Sequence, residues 1–239
     1  MNLSSLMVLL LMGHVLGDFY FQSDKMAMGK KEKWEWMAAH GMVYAACIGL
    51  VLLVGAEFSL EVFLAFLAVS LSHITVDIFK KHIKWKPFVI DQFLHILTLV
   101  AVSFVLGGYI EVSDFVVEFH DYLLIALGLL IILWPVGLLI ESGEIWKFED
   151  NRNLISQDKK RLQNASKMIG YLERIIVFFL LLLGQYSAIA LVIAAKSIAR
   201  FPEIKDGEGR LKADYYIIGT MLSLAGVFLV GWLLGLMQS

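Results

Sequence analysis

Three pairs of histidine and aspartate are the residues of this chain whose types and spacing best suit chemistry. In each pair the two residues stand four positions apart, which places both side chains on one face of a helix. Imidazole and carboxylate groups together suit zinc, iron, manganese or cobalt. A further histidine, His40, adds a fourth imidazole. The candidate metal ligands are therefore His14, Asp18, His40, His73, Asp77, Asp91 and His95.

The number of these side chains limits the kind of metal site that they can form. They exceed what one tetrahedral ion needs, so they suit two ions with bridging carboxylates, or one ion whose ligands are held by the remaining side chains. We expect one or two divalent transition metal ions, either zinc, iron or manganese. A bound ion would generate hydroxide near neutral pH, which predicts hydrolysis. The candidate catalytic residues, as ligands or general base, are Asp18, Asp77 and Asp91.

Two other interpretations of the same pairs need no metal. Ionisable groups inside a membrane span also form proton or ion relays, and they also form purely structural networks of hydrogen bonds. A single histidine in a span is more often such a structural residue than a ligand. Three matched pairs at one depth favour the metal site.

The composition places these residues in a membrane protein. Of the 239 residues, 59% are hydrophobic and only 18% are charged, whereas about a quarter are charged in a soluble domain. The net charge of −2 gives no reason to expect a nucleic-acid partner, and the single Cys47 allows no internal disulfide. The sequence therefore predicts an all-α, polytopic transmembrane bundle whose first partner is the lipid bilayer. Nothing in the composition decides its oligomeric state.

Eight segments are apolar enough to cross a bilayer, which takes about 20 residues. Lysine and arginine occur in every second loop, as the positive-inside rule requires of eight spans with both termini outside the cytoplasm. Only a few residues near Gly184 separate spans six and seven, so one long helix there is the alternative. The predicted spans are 3–22, 37–55, 59–80, 88–109, 122–141, 168–184, 186–201 and 215–237.

This topology puts the histidines and aspartates at one depth. Spans one and three run inward and carry their pairs in their second halves, whereas spans two and four run outward and carry theirs in their first turns. All seven groups then fall in the cytoplasmic half of the bilayer, and they form one site if the four helices pack as neighbours. The chain divides into a four-span motif region, 1–110, and a four-span C-terminal region, 111–239, with a cytoplasmic loop at 142–167.

A second group of charged residues lies at the same predicted side of the C-terminal region. Lys196 and Arg200 are four apart, so two like charges share one face, which is unfavourable unless an acid or an anion lies opposite. Either the pair binds an anionic head group, or the two side chains only extend toward the aqueous interface. On the first interpretation the candidate substrate-binding residues are Gln22, Gln92, Glu173, Arg174, Lys196, Arg200 and Asp214.

These motifs resemble a bacterial membrane family known as domain of unknown function 3307. The residues that carry the resemblance are Gly13–Gln22, His40, His73–Asp77 with Lys80, and Asp91–His95, and it covers about residues 1–110. The later runs Ala195–Phe201 and Ala213–Tyr215 resemble the C-terminal part of longer members, in which Glu is expected at the position of Asp214. The resemblance supports the site residues and implies no activity.

The expected function is hydrolysis of a phosphoester or similar bond in a lipid or lipid-linked anionic substrate, at the bacterial cytoplasmic membrane. One alternative is an ion- or metal-coupled transporter, against which the apolar extracytoplasmic halves of the spans argue. Another is a non-catalytic membrane partner that docks through its cytoplasmic loops.

Overall fold

The computed structural model describes the backbone of residues 2–30, 32–83, 88–141, 156–205 and 209–238. Side chains are described for residues 4–30, 32–80, 88–140, 167–198 and 217–237. Within these ranges the regular structure is helical, apart from an isolated antiparallel bridge between Ala56 and Val112. The predicted all-α fold class is confirmed.

The structure contains eleven α-helices and one π-helical turn among the described residues. In chain order they are α1 (Asn2–Val15), which continues into a π-helical turn (Leu16–Tyr20), α2 (Asp24–Gly29), α3 (Trp34–Gly55), α4 (Leu60–Ile83), α5 (Phe88–Leu106), α6 (Asp114–Glu118), α7 (His120–Leu133), α8 (Pro135–Glu141), α9 (Ser156–Leu182), α10 (Tyr186–Lys205) and α11 (Gly209–Gln238). The predicted loop at 142–167 lies partly outside the described residues, and from Ser156 onward its backbone belongs to α9.

Among the described residues, five helices are long and apolar enough to cross a membrane. They are Trp34–Gly55, Leu60–Lys80, Phe88–Leu106, His120–Ile140 and Ile217–Met237. Two shorter apolar helices, Ser4–Tyr20 and Tyr186–Ile198, overlap the predicted first and seventh spans, and predicted span six lies mostly in α9. The count of eight spans and the side on which the termini lie stay predictions.

The chain folds into two compact units, residues 1–130 and residues 131–237. In the first unit, α1 packs against α3 and α5, and α4 packs against the same two helices. These four helices therefore close a ring, and they are the helices that carry the histidines and aspartates. The predicted division near residue 110 stays a prediction.

The ring has an apolar layer and a polar layer. In α1 and α4 the polar residues follow the core residues along the chain, and in α3 and α5 they precede them, so antiparallel neighbours bring every polar residue to one end of the ring. The apolar layer is the cluster Leu6, Leu10, Tyr44, Ile48, Leu52, Ala56, Val62, Ala65, Val69, Leu99 and Ile110. Outside the polar layer, the buried polar side chains that the structure describes in the ring are those of Ser5, Ser70 and Ser103, and none of them carries a charge.

Gly17 allows the π-helical turn to approach α3 closely. A Cβ atom added at Gly17 would lie 3.1 Å from the backbone Cα of Tyr44, which is tighter than ordinary packing. Small residues at such positions let helix backbones come together where no hydrophobic effect drives association. Gly17 therefore brings the adjacent Asp18 next to the side chains of α3.

In the second unit, α9 and α10 are two helices and not one. Gly184 has a φ of 67°, the left-handed conformation that glycine adopts without strain. The N–H of Gln185 donates to the carbonyl of Leu180 at 2.8 Å, and the N–H of Gly184 donates to that of Leu181 at 3.0 Å. This is the Schellman pattern that ends a helix, and it decides the alternative left open for spans six and seven in favour of two helices.

Candidate metal centre

Asp18 lies in the π-helical turn that follows α1. Such turns occur frequently at functional sites because the inserted residue redirects side chains. The spacing predicts one shared face for His14 and Asp18, but the π-helical turn gives them different partners apart from Gln92, which contacts both. Asp18 Oδ1 lies 3.4 Å from His40 Nε2, whereas His14 lies between Tyr44 and Gln92.

Four side-chain atoms converge at the centre of the polar layer: His40 Nε2, His73 Nε2, Asp18 Oδ1 and Asp77 Oδ2. His40 Nε2 lies 3.0 Å from His73 Nε2, 3.4 Å from Asp18 Oδ1 and 3.3 Å from Asp77 Oδ2. His73 Nε2 lies 3.8 Å from Asp18 Oδ1 and 3.9 Å from Asp77 Oδ2. Ligands of a tetrahedral zinc ion are about 3.3–3.5 Å apart. The five separations lie around this range, so the atoms are close enough for subsets of them to share one ion.

Two overlapping sets of three ligands arise from this arrangement. Asp18, His40 and His73 form one set and His73, Asp77 and His95 form the other, each with its ligand atoms within 4.8 Å of one another. His95 Nε2 lies 3.8 Å from Asp77 Oδ1, whereas Asp77 Oδ2 faces His40. One carboxylate thus presents its two oxygens to different histidines, as a bridge between two ions requires. The geometry is compatible with one ion or with two.

Asp91 lies beside these two sets and contacts one member. Its Oδ1 is 3.6 Å from His95 Nε2, and its Oδ2 accepts a hydrogen bond from the ammonium group of Lys80. A carboxylate in this position orients a ligand and balances charge. Asp91 reaches the site as predicted, but it contacts His95 and none of the four converging atoms at the centre.

His14 belongs to a chain of hydrogen bonds that ends on Asp18. Gln92 Nε2 donates to Asp18 Oδ2 at 2.9 Å, and Gln92 Oε1 accepts from His14 Nε2 at 3.1 Å. Tyr44 Oη lies 3.3 Å from His14 Nδ1, the other nitrogen of the same ring. Both His14 nitrogens are therefore engaged, and neither belongs to the two sets of ligand atoms. Of the predicted substrate-binding residues, Gln92 is thus part of the polar layer.

The seven predicted ligands are all buried, with side chains of His40, His73 and His95 that are 1% exposed. The Nδ1 atoms of these three histidines have no hydrogen-bond partner in the described part of the chain. Stacking orients the rings instead, because His73 lies between Tyr44 at 3.6 Å and His95 at 4.1 Å between centroids. This stack directs the Nε2 atoms of His73 and His95 toward the carboxylate of Asp77.

Two residues at this site were missed by sequence reasoning. Tyr44 stands four residues after His40, so helical spacing was a signal that could have found it. In the sequence, Lys30 counts only as one of the basic loop residues that orient the spans. In the structure its side chain reaches into the polar layer and is 14% exposed. Burial lowers the pKa of Lys30, but the carboxylates of Asp18 and Asp77 raise it by more, so this pKa lies above its usual value.

The remaining predicted site residues are mostly in the second unit. The ammonium group of Lys196 is paired with Glu173, and Arg174 Nη2 donates to the carbonyl of Leu133 at 3.2 Å. These three residues line a small cavity of about 20 Å³ together with Thr220, Ser223 and apolar side chains. The side chains of Arg200 and Asp214 lie outside the described residues. In the first unit, Gln22 Oε1 is buried without a hydrogen-bond partner among the described atoms.

The polar layer lies within a segment of the chain that matches a known family. Residues 6–124 match the family model described as Protein of unknown function (DUF3307). This part of the chain is similar to that family. The DUF3307 segment contains every predicted metal ligand, together with Lys30, Tyr44, Lys80 and Gln92, and the predicted resemblance is confirmed. No curated protein and no solved structure matches this chain.

Proposed function

We propose that this protein is a multi-pass protein of the bacterial cytoplasmic membrane that binds a divalent transition metal in its DUF3307 unit and uses it for hydrolysis. The observation that carries the proposal is the convergence of His40, His73, Asp18 and Asp77, whose ligand atoms are 3.0–3.9 Å apart over the five separations given above. Two imidazoles and two carboxylates suit zinc, iron or manganese.

The crowding at His40 Nε2 supports a shared cation. An imidazole nitrogen has either one lone pair or one proton in the ring plane, so it makes one strong hydrogen bond. Yet Lys30 Nζ lies at 3.1 Å, His73 Nε2 at 3.0 Å and carboxylate oxygens at 3.3 and 3.4 Å. A metal ion at the centre would let the nitrogens and oxygens all direct lone pairs at one point.

The layered ring favours a reaction site over a channel. The apolar layer closes the polar layer from one end of the ring, and the predicted topology turns the other end to the cytoplasm. A substrate would therefore reach the metal from the cytoplasmic leaflet. An anionic lipid or lipid-linked phosphoester fits this position, because its head group and the metal lie at similar depth.

Each predicted residue has a role in this proposal. Asp18, Asp77, His40, His73 and His95 hold one or two ions, Asp91 accepts a proton or orients His95, and His14 with Gln92 orients Asp18. An ion held by these residues would supply hydroxide near neutral pH. The carboxylate of Asp18, Asp77 or Asp91 would accept the proton that water loses. In the second unit, Arg174, Lys196 and Arg200 would hold an anionic group, and the negative charges of Glu173 and Asp214 would balance theirs. Gln22 would contact the substrate at the mouth of the ring.

Elemental analysis of the purified protein tests the proposal. The wild type is expected to carry one or two zinc, iron or manganese ions per chain, and the double variant His73→Ala/His95→Ala none. His120→Ala is the matched control, since it removes a histidine that stands outside the polar layer. A wild type that carries no stoichiometric metal, even after reconstitution with each of the three ions, would contradict the proposal. A metal-loaded protein would then be tested on phospholipids and lipid-linked phosphates.

A proton relay is the second candidate function. The observation that favours it is the continuous line of polar contacts from Lys30 through His40 to His73. It predicts proton movement across vesicles containing the protein, blocked by His73→Ala, and no dependence on a divalent metal. Uptake of labelled metal into the same vesicles would favour a metal transporter instead. Unchanged function of the histidine and aspartate variants, with loss on changes at residues 144–168, would favour a docking partner.

A further inference from the structure

Lys30 occupies a position among the candidate metal ligands. Its Nζ donates to Asp77 Oδ2 at 2.8 Å, lies 3.1 Å from His40 Nε2 and is 3.8 Å from Asp18 Oδ1. Three of the four converging atoms thus contact one ammonium group. A primary ammonium has three hydrogens and donates to as many acceptors. Lys30 therefore occupies, as hydrogen-bond acceptors, some of the same atoms that would ligate a metal.

The ammonium group and a metal ion exclude one another at this centre. Both are cations, and the low dielectric of a buried site strengthens their repulsion. They also compete for the same lone pairs, because an oxygen or nitrogen that accepts a hydrogen bond from Lys30 cannot direct that lone pair to an ion. The ligands are therefore complete for a metal only after the Lys30 side chain has moved.

The surroundings of Lys30 allow such a movement. Lys30 follows α2, a six-residue helix with no buried residue. The hydroxyl of Ser23 caps this helix by accepting a hydrogen bond from the N–H of Met26 at 3.3 Å. The neighbouring residues Lys25 and Met28 are exposed, so the ammonium of Lys30 has water within reach of its flexible side chain.

We propose that Lys30 is a tethered cation that holds the polar layer together until a divalent metal ion displaces it, so that this residue sets the affinity and the charge selectivity of the site. This inference rests on the proposed function, since it concerns the same metal centre. A monovalent ion would replace one unit of charge by another and gain little. A divalent ion brings a second unit of charge, and this excess offsets the loss of the contacts made by Lys30.

The first test compares metal affinity in three forms of the full-length protein: wild type, Lys30→Met and Lys33→Met. Methionine keeps the length of the lysine side chain and removes its charge. Because the competing cation is gone, Lys30→Met is expected to bind Zn²⁺ about tenfold more tightly or better. Lys33→Met alters an exposed lysine three residues away and is expected to bind as the wild type does. Equal or weaker binding by a folded Lys30→Met would overturn the inference.

The second test uses the wild-type protein alone, so it decides the matter even if Lys30→Met fails to fold. An amine-reactive reagent is added with and without Zn²⁺, and the modification of each lysine is measured by peptide mass spectrometry. Lys30 is expected to be protected without metal and to react several-fold faster with it. Lys25 and Lys33, which are exposed, serve as internal controls and are expected to react equally in both conditions. A Lys30 that stays equally protected while Zn²⁺ is bound would overturn the inference.

The two tests separate this inference from the proposed function. If the wild type binds Zn²⁺ and Lys30 is not displaced, the result supports the metal centre and contradicts the role of Lys30 as a displaceable cation. Absence of Zn²⁺ binding in both wild type and Lys30→Met would overturn both, and Lys30 would then be a permanent structural partner of Asp18 and Asp77. Binding only in Lys30→Met would overturn displacement in the native protein as well.

Discussion

The Nε2 atoms of His40 and His73 lie 3.0 Å apart although 33 residues separate them along the chain. The two histidines come from α3 and α4, neighbouring helices of the ring. At this separation they share one proton or one cation between them, because two protonated nitrogens would repel. The contact between these two nitrogens defines the centre of the polar layer.

Replacement of His73 is expected to have the largest effect on metal binding. His73 belongs to both sets of candidate ligands, and its ring lies between Tyr44 and His95. His73→Ala should lower metal affinity by more than about 100-fold, since even residues that only support ligands contribute 10–100-fold. Metal content after dialysis against a weak chelator measures this. An affinity equal to that of His120→Ala would contradict the role of His73.

Asp77 and Asp91 are expected to differ in their contribution to the site. Asp77 directs one oxygen toward His40 and the other toward His95, whereas Asp91 contacts His95 and Lys80. Asp77→Asn should therefore abolish stoichiometric metal, and Asp91→Asn should weaken it by about 10–100-fold. Both substitutions keep the side-chain shape, so they form a matched pair in an isothermal titration. The reverse order of effects would place Asp91, and not Asp77, at the centre.

Two substitutions of Tyr44 distinguish the contribution of its hydroxyl group from that of its ring. Tyr44→Phe removes the hydroxyl beside His14 and keeps the ring stacked on His73, and we expect a stability loss of about 0.5–1.5 kcal/mol. Tyr44→Leu also removes the ring pair and should cost a further amount of about 0.5–1.5 kcal/mol. Thermal denaturation in one detergent compares the two variants. If both lose the same stability, stacking does not position the imidazole of His73.

Gly17 is expected to tolerate no side chain. A Cβ atom there would lie 3.1 Å from the Cα of Tyr44, so Gly17→Ala must push the π-helical turn away from α3. Overpacking of this kind costs about 1–3 kcal/mol. It should also lower metal affinity, because Asp18 moves with the turn. Gly108→Ala is the control, since a Cβ there meets nothing within 4 Å. Unchanged melting temperature and metal content in Gly17→Ala would show that the close approach is unimportant.

Much of the site could be predicted from the sequence because helices impose a regular spacing on side chains. The pairs His73/Asp77 and Asp91/His95 stand four apart on single helices, and the structure brings both to the polar layer. Composition and apolar segments predicted the helical fold class in the same way. These features depend on local periodicity and on hydropathy, which the chain carries in its residue order.

The partners of His14 and the place of Lys30 depend on tertiary structure. The π-helical turn directs Asp18 toward His40 and leaves His14 joined to it through Gln92. No local spacing predicts an inserted residue of this kind. Lys30 reaches Asp77 across 47 residues of chain, so its role depends on how α2 and α4 come together. By itself the sequence determined the helices and the set of polar groups on them. Only the packing of the ring decided which atoms meet, because contacts between helices depend on close approach, as at Gly17, and on side-chain directions set in three dimensions.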